Sequence, residues 1–318
     1  MARVLVTRRL PDGGLEPLAR AGHDLVARVD DTPYTHDELV AAAPDVDAIV
    51  CLLTDRIDRE VLEAAARAGR LKVVANVAVG YDNIDVRAAA ELGVAVCNTP
   101  GVLDETTADL AFLLILAASR LAHDAEADLR DGQWEGWGIM QYLGRDVHAA
   151  TLGLVGFGRI GQAVARRAAG FGMNVAHHTR HDTGITGWFG DLDQLLGEAD
   201  VVSVHVPLTD ATRHLIGARE LGLMRSTAVL VNTARGPVVD EAALATALEA
   251  GTIFAAGLDV FEREPEVDAA LLAAPRTVLL PHVGSATTAT RTRMATVASE
   301  GARAVLAGEQ PPNLVTPT

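Results

Sequence analysis

The stretch TLGLVGFGRIG, residues 151–161, decides the fold. An apolar run leads into Gly156, Gly158 and Gly161, and the helical pattern RIGQAVARRAAGFG follows. Such glycines let the chain turn tightly and let a pyrophosphate approach the N–H groups at the start of the helix. GxGxxG alone is a weak signal, but its position between a strand and a helix predicts a dinucleotide-binding turn. A tight strand-to-helix turn without a ligand is the alternative.

The end of the next predicted strand, NVAHH, departs from the usual pattern. Thr179, Arg180 and His181 stand where an Asp or Glu usually holds the adenosine ribose hydroxyls. A carboxylate there would repel a 2′-phosphate, whereas a hydroxyl and a guanidinium would bind it. The sequence therefore favours NADP(H); NAD(H) is the alternative if Arg180 is a solvated surface residue. The connection RHDTGITGWFGD, residues 180–191, looks short and glycine-rich, and a deletion there would change the adenosine side of the pocket.

Alternation of strands and helices continues in both directions from this turn. The predicted strands are RVLVT, DAIVCLLT, LKVVANVAVG and GVAVCN, then TLGLVG, NVAHH, VVSVHV, AVLVNTA, IFAAGLDV and TVLLPH. Continuous apolar strands separated by helices predict α/β architecture with parallel sheets covered on both faces. We expect a dinucleotide-binding domain of residues 100–286, inserted into a substrate domain of residues 1–99 and 287–318.

Composition excludes several classes of protein. The formal net charge of −15 argues against nucleic-acid binding, which needs clustered Lys and Arg. Cys51 and Cys97 lie in apolar runs, so we expect buried free thiols in a reducing compartment. The N-terminus enters a strand without a signal-peptide pattern, and the apolar run at residues 110–118 is too short to span a bilayer. The sequence predicts a cytoplasmic protein without a membrane partner.

Ionisable residues follow neighbouring predicted strands in the second half of the chain. Arg235 follows AVLVNTA, Glu264 follows GLDVFER, and His282 follows TVLLP. In open parallel sheets, ligands bind beyond the carboxyl ends of the strands. A lone histidine after a strand is more often structural, but three such residues in one cofactor domain indicate an active site.

Seven segments together resemble the D-2-hydroxyacid dehydrogenases, most closely the glyoxylate/hydroxypyruvate reductase branch. They are ANVAVGYDNIDV, NTPGVLDETTADLAF, LGLVGFGRIGQAVARR, VSVHVPLTDATRHLIG, LVNTARGPVVDEAALATAL, AAGLDVFEREP and LLPHVGSAT. The resemblance implies two Rossmann-like domains, with the NAD(P)-binding domain inserted into a discontinuous, flavodoxin-like substrate domain. It implies reduction of a small 2-keto acid, such as glyoxylate or hydroxypyruvate, to the 2-hydroxy acid, the D-isomer where a stereocentre forms.

The resemblance also implies a role for individual residues. Arg235 contacts the carboxylate and carbonyl oxygen of the substrate, His282 is the general acid, and Glu264 pairs with it. The Glu264 carboxylate would then favour the protonated imidazole that reduction requires. Substrate contacts are implied for Leu53, Val79, Gly80, Trp137, Arg235 and Ser285, with the N–H groups of Val79 and Gly80 holding the carboxylate.

Cofactor contacts are implied at eighteen positions between residues 107 and 284, with Asp259 facing the nicotinamide carboxamide. They are Thr107, Gly156, Phe157, Gly158, Arg159, Ile160, Gly161, Thr179, Arg180, His181, Val206, Pro207, Thr212, Thr233, Ala234, Asp259, His282 and Gly284. No metal is expected, because the Arg–His pair supplies the positive charge that a Lewis acid would provide.

The loop DGQWEGWGIMQY, residues 131–142, carries Trp134 and Trp137. In the family this loop contributes to a dimer contact, so we expect a homodimer in which Trp137 narrows the partner's substrate site. The alternative is that both tryptophans only cover the interface.

Two other functions stay open from the sequence. One is an NADH-dependent dehydrogenase of another 2-keto acid, and the other is a dinucleotide-sensing corepressor that shares the fold. The complete Arg–Glu–His set and the short tail QPPNLVTPT favour the enzyme. Glu264 argues against the related formate dehydrogenases, in which the resemblance implies a Gln at this position.

Overall fold

The computed structural model describes residues 1–28 and 31–316. Cα packing divides the chain into two compact units: unit 1 comprises residues 1–103 and 285–318, and unit 2 comprises residues 104–284. Each unit is built around a sheet whose paired strands are all parallel, so the predicted α/β class is confirmed.

The strands, in chain order, are β1 (Arg3–Val6), β2 (Asp24–Ala27), β3 (Ala48–Cys51), β4 (Val73–Asn76), β5 (Ala95–Cys97), β6 (Thr151–Val155), β7 (Asn174–His178), β8 (Trp188–Phe189), β9 (Val201–Val204), β10 (Val229–Asn232), β11 (Ala255–Leu258) and β12 (Thr277–Leu279). The α-helices are α1 (Glu16–Arg20), α2 (His36–Ala42), α3 (Arg59–Ala68), α4 (Val86–Glu91), α5 (Asp104–Ser119), α6 (Ala122–Arg130), α7 (Arg159–Ala169), α8 (Leu192–Glu198), α9 (Ala218–Leu223), α10 (Glu241–Glu249), α11 (Ala269–Ala273) and α12 (Thr288–Leu306). Short 3-10 helices cover Ala43–Asp45 and Gly236–Val238.

Unit 1 has a five-stranded sheet in the order β2-β1-β3-β4-β5. Strands β3 and β4 are buried along their whole length, which explains their continuous apolar sequences. The last helix, α12, packs against α1 and against β3, β4 and β5 of this unit. Its Ser299 hydroxyl donates to the Gly14 carbonyl at 2.8 Å, and both free cysteines are buried in this unit.

Unit 2 has a seven-stranded sheet in the order β12-β11-β10-β9-β6-β7-β8. Helix α5 has Asp104 and Glu105 in its first turn, as its sequence predicts, and packs against β10, β11, β12 and α7. A Cβ on Gly257 would lie 2.9 Å from the Leu114 Cβ, so β11 needs a glycine where this helix crosses it.

Two strands differ from expectation. Strand β2 was not predicted because it is a half-exposed edge strand without a continuous apolar run. Strand β8 lies inside the segment 180–191 that we expected to be only a connection, and its two residues pair in parallel with β7. Such a short strand has too little sequence for a period to be recognised.

Among the described residues, no single helix is long and apolar enough to cross a bilayer. Helices α5 and α6 meet the length and composition test only together, with a 67° bend between them.

Candidate active site

Arg235, Glu264 and His282 lie after three adjacent strands of unit 2. They follow β10, β11 and β12, which neighbour one another in the sheet and are parallel, so their carboxyl ends share one edge. We call this the triad edge. The His282 Nδ1 atom lies 2.8 Å from the Glu264 Oε2 atom, and the two side chains keep 26% and 28% of their exposure. The pair therefore forms a proton-bearing site that solvent or a small ligand reaches.

The backbone at His282 is held in the left-handed region. Its φ is +54°, an unusual value for a residue with a side chain. The His282 N–H donates to the Asp259 carbonyl at 2.8 Å, and the Asp259 carboxylate accepts the N–H groups of Val283 and Gly284, each at 2.8 Å. Asp259 thus positions the turn that presents the imidazole.

Charges at the triad edge act on two carboxyl groups in opposite directions. Burial raises the pKa of Glu264, but the hydrogen bond and charge of His282, the Phe261 N–H and the charge of Arg235 outweigh it, so the pKa is lowered. Burial raises the pKa of Asp259, and the Val283 and Gly284 N–H groups and His282 offset this only partly. Glu264 is therefore the carboxylate that stays ionised beside the imidazole.

The loop of Arg235 is braced by its own strand. The Asn232 side chain accepts the Ala234 N–H at 3.0 Å and donates to the Arg235 carbonyl at 2.9 Å. The Arg235 guanidinium donates to the Ala234 carbonyl at 2.8 Å. A Cβ on the next residue, Gly236, would overlap the carbonyl of Phe261, so at this point the arginine loop and the loop leading to Glu264 meet backbone to backbone.

The glycine turn at residues 156–161 has the geometry of an anion cradle. Gly156 has a φ of +98°, and a Cβ there would lie 2.6 Å from the His205 carbonyl oxygen. A Cβ on Gly161 would lie 2.5 Å from the Gly156 carbonyl oxygen, whereas Gly158 faces open space. Gly158 precedes the eleven-residue helix α7 and no side chain caps the helix, so its first N–H groups face that space. These residues fit a nicotinamide dinucleotide.

Two histidines lie beside this turn, His177 completely buried and His205 partly buried, and neither was predicted to matter. Burial lowers the pKa of His205 to about 4, and its Nε2 atom lies 2.9 Å from the Ser203 hydroxyl. His177 in β7 is completely buried, and its ring stacks on Phe157 with centroids 3.9 Å apart. In the sequence both sit in apolar strand patterns, which give no signal for a role at a site.

Thr179, Arg180 and His181 follow β7 directly, as expected from the sequence. The Thr179 hydroxyl donates to the His181 carbonyl at 2.6 Å and accepts the Trp188 Nε1–H at 3.1 Å. Its proton is therefore used within the turn. Arg180 and His181 are exposed, and within the described part of the chain their side chains make no ion pair or hydrogen bond.

Three of the other predicted cofactor residues of unit 2 are the threonines Thr107, Thr212 and Thr233. Thr107 in α5 is buried beside Gly284, since a Cβ on that glycine would lie 3.5 Å from the Thr107 Cγ2. The Thr233 hydroxyl is buried and has no hydrogen-bond partner among residues 1–28 and 31–316. Thr212 donates to the Pro207 carbonyl at 2.6 Å and closes its own loop. The remaining predicted positions are Val206 after β9 and Ala234 after β10.

Four of the predicted substrate residues lie in unit 1. Val79 and Gly80 follow β4, and their carbonyls accept the amides of Asn98 and Asn76, each at 2.8 Å. Neither of their N–H groups donates to another described residue. Leu53 follows β3 and Ser285 begins the return of the chain to this unit; both are half-buried.

In the described part of the chain, no group of three or more His, Cys, Asp or Glu is placed to hold a metal ion. A cavity of about 300 Å³ lies at the opposite, amino-terminal edge of the unit 2 sheet, lined by residues such as Ser119, Arg145 and His148. It contains none of the predicted site residues.

Comparison with known proteins agrees with this geometry. Residues 112–284 match the family described as D-isomer specific 2-hydroxyacid dehydrogenase, NAD binding domain. A glyoxylate reductase of Korarchaeum cryptofilum is 48% identical, over 98% of this chain and 95% of the relative. A crystal structure of a Thermus thermophilus protein has a TM-score of 0.92 at 45% identity, covering 99% of this chain and 100% of the other.

A third match is the NADPH-dependent glyoxylate/hydroxypyruvate reductase of Sinorhizobium meliloti, crystallised with NADP and malonate. Its TM-score is 0.88 at 37% identity, with 99% of this chain and 96% of the other covered. With the glycine turn and the Arg–Glu–His residues in place, these matches lead to one conclusion. The chain belongs to the D-isomer-specific 2-hydroxyacid dehydrogenase family and is a nicotinamide-dependent oxidoreductase.

Proposed function

We propose that this enzyme reduces glyoxylate and hydroxypyruvate to the 2-hydroxy acids, giving the D-isomer where a stereocentre forms. The observation that carries the proposal is the 2.8 Å contact between His282 and Glu264 on the same sheet edge as Arg235. The glyoxylate reductase of K. cryptofilum and the glyoxylate/hydroxypyruvate reductase of S. meliloti support the substrate class.

Each residue of the triad edge contributes to this reaction. A bound nicotinamide would supply the hydride for the carbonyl carbon. His282 gives its proton to the carbonyl oxygen, which becomes the hydroxyl. Glu264, ionised because its pKa is lowered, stabilises the imidazolium before the transfer. Arg235 binds the carboxylate and polarises the carbonyl, so charge on the developing alkoxide is compensated without a metal.

Val79 and Gly80 of unit 1 belong to the proposed substrate contacts. The N–H groups of Val79 and Gly80 hold the substrate carboxylate, because the amides of Asn76 and Asn98 fix the two peptides by their carbonyls. Unit 1 corresponds to the proposed substrate domain and unit 2 to the proposed dinucleotide-binding domain.

The cofactor is proposed to be NADPH in preference to NADH. Arg180 is exposed after β7, and its guanidinium has no carboxylate partner in the described part of the chain. It is thus free to bind a 2′-phosphate in bidentate fashion. The Thr179 hydroxyl shapes the turn rather than donating to the phosphate, because its proton already goes to the His181 carbonyl.

A homodimer is proposed from the exposed apolar loop after α6. Trp134 and Trp137 keep 51% and 80% of their exposure, and Ile139, Met140 and Leu143 beside them are also exposed. Apolar side chains clustered in this way mark an interaction surface. Trp137 is proposed to reach the substrate site of the second copy.

The reducing cytoplasm is the proposed location of the protein, because Cys51 and Cys97 are buried free thiols.

Initial rates test the reaction and the cofactor together. The purified enzyme is assayed with glyoxylate and hydroxypyruvate, using NADPH and NADH in parallel. We expect turnover of both acids and a lower KM for NADPH. In Arg180→Ala the KM for NADPH should rise about tenfold or more, the effect of losing a charge-assisted contact, while NADH is unaffected. Arg20→Ala, which removes an exposed arginine of unit 1, is the matched control.

Two results would contradict the proposal. Equal wild-type rates with NADH and NADPH would contradict the proposed contact between Arg180 and the 2′-phosphate. Tight dinucleotide binding without turnover of either acid would contradict the proposed reductase activity.

The proposed dimer is tested separately. Light scattering of Trp137→Glu should give a monomer, and a dimer of unchanged stability would overturn the assigned surface.

A further inference from the structure

We propose that His177 is a positioning residue for the adenosine end of the cofactor site. It fastens the turn of residues 179–187, which carries Arg180, to the glycine turn through Phe157. We call residues 179–187 the adenosine turn. The proposal rests on the proposed function for the ligand that Arg180 contacts, but the fastening itself can be tested without any ligand.

The first contact joins His177 to the glycine turn. The imidazole stacks on the Phe157 ring at 3.9 Å, with 20° between the ring planes. Phe157 stands between Gly156 and Gly158, so its backbone belongs to the pyrophosphate cradle. The Gly156 N–H also donates to the carbonyl of His178, the next residue of β7, at 3.0 Å. The end of β7 therefore holds the glycine turn twice.

A second set of contacts joins the same residue to the adenosine turn. The His177 Nε2 atom lies 2.8 Å from the Thr183 hydroxyl, and its backbone N–H donates to the Gly187 carbonyl at 2.8 Å. The hydroxyl can donate or accept, so the side-chain bond forms with either tautomer. Gly187 approaches β7 so closely that a Cβ on it would collide with the Val175 carbonyl.

These contacts flank Arg180 on the turn. On one side Trp188 donates to Thr179, and on the other His177 holds Thr183. Arg180 lies between the two anchors and is exposed. A bidentate contact with phosphate needs the two N–H donors of the guanidinium to be held in one orientation. The contacts at Thr179 and Thr183 limit the positions that the Arg180 guanidinium can take.

An imidazole at this buried position has a specific consequence. Its Nδ1 atom is buried without a partner in the described residues, which costs free energy that an apolar ring would not. Burial lowers the pKa of His177, and the weaker influence of Asp182 does not reverse this, so the ring is neutral. What the imidazole adds over a phenyl ring is the bond to Thr183.

Three variants separate the hydrogen bond from simple packing. Thr183→Val removes the hydroxyl and keeps the side-chain shape. His177→Phe keeps a ring that can stack on Phe157 but removes the bond. Thr186→Val is the matched control, since Thr186 is exposed on the same turn and its hydroxyl makes no hydrogen bond to a described residue. Thr183→Val alone decides the question if His177→Phe does not fold.

The first readout is limited trypsin digestion of the ligand-free protein, followed by mass spectrometry of the fragments 1–180 and 181–318. Cleavage after Arg180 should be about fivefold faster in Thr183→Val and His177→Phe, because losing one hydrogen bond raises the open fraction of the turn. Thr186→Val should match the wild type. Unchanged cleavage in Thr183→Val would overturn the proposed fastening.

The second readout is the KM for each cofactor. In Thr183→Val the KM for NADPH should rise about tenfold, as one charge-assisted contact is misplaced, with kcat at saturating NADPH and the KM for NADH unchanged. Faster cleavage with an unchanged KM for NADPH would overturn the positioning role. If the wild type and Arg180→Ala use both cofactors alike, the proposed NADPH preference fails, and the fastening is then decided by the cleavage rates alone.

Discussion

His282 at the triad edge differs in every local property from His177 and His205 beside the glycine turn. His282 keeps a quarter of its exposure, bonds a carboxylate and occupies the left-handed region. His177 is completely buried against the Phe157 ring and His205 is partly buried beside the glycine turn, and burial lowers the pKa of each. One sheet edge therefore holds a histidine in contact with a charge and two that stay neutral. A directly bonded carboxylate and access to solvent distinguish His282 from the two neutral histidines.

The largest expected effect is at His282. His282→Asn should lower kcat for glyoxylate by roughly 10²–10⁴, the usual contribution of a general acid. Asn tolerates the φ of +54° better than most residues, so the fold should be kept. Steady-state rates with both cofactors, with circular dichroism as the folding control, check this. A decrease in kcat of less than tenfold would show that His282 is not the general acid, and it would then not differ in function from His177.

Gly236→Ala should be the most damaging small change at the triad edge. The added methyl group would overlap the Phe261 carbonyl, so the loops of Arg235 and Glu264 must separate. We expect the free energy of unfolding to fall by about 3 kcal/mol, the upper range for overpacking, and kcat to fall with it. Gly222→Ala in α9, where a Cβ meets nothing within 4 Å, is the control. Equal stability of the two variants in urea would show that the loops tolerate separation.

His205 should make the stability depend on pH. Its pKa is about 4 when folded and 6.5 is the ordinary value, so the unfolded chain takes up the proton first as the pH falls. The stability from the neutral imidazole is complete above pH 6.5 and is lost progressively down to about pH 4, by about 3 kcal/mol in all. Urea unfolding of wild type and His205→Gln between pH 7.5 and 4 should give a shallower slope for the variant. Parallel slopes would mean that His205 is solvated.

Asp259→Asn should have the smallest effect. Asn keeps an acceptor for one of the N–H groups of Val283 and Gly284 and sets its own N–H₂ against the other. The lost bond costs about 1–2 kcal/mol, partly offset because a buried carboxylate with a raised pKa is removed. The midpoint of thermal unfolding and kcat should both fall moderately. An unchanged kcat with lowered stability would limit Asp259 to a structural role.

Much of the fold was predictable, for a physical reason. Strands such as β3, β4 and β10 are buried on both faces, and this produces the apolar runs by which they were recognised. Strand β2 alternates weakly at a sheet edge and β8 has two residues, so neither leaves such a run.

The candidate site was predictable only in part. Arg235 and His282 are visible because charge follows directly after an apolar strand, a position set by the chain itself. The braces from Asn232 and Asp259, the tight approach at Gly236 and the His177 contacts depend on which backbone groups meet across loops. The periodicity of hydrophobic residues in the sequence does not predict these contacts between loops. Sequence reasoning therefore located the proposed reacting groups better than the groups that hold them.

The bare backbone approach at Gly236 has a consequence for redesign. Since no side chain separates the arginine loop from the glutamate loop, neither can be lengthened or reshaped without carrying the other along. Substitutions outside these two loops leave the junction intact. The two loops of the triad edge therefore change together or not at all.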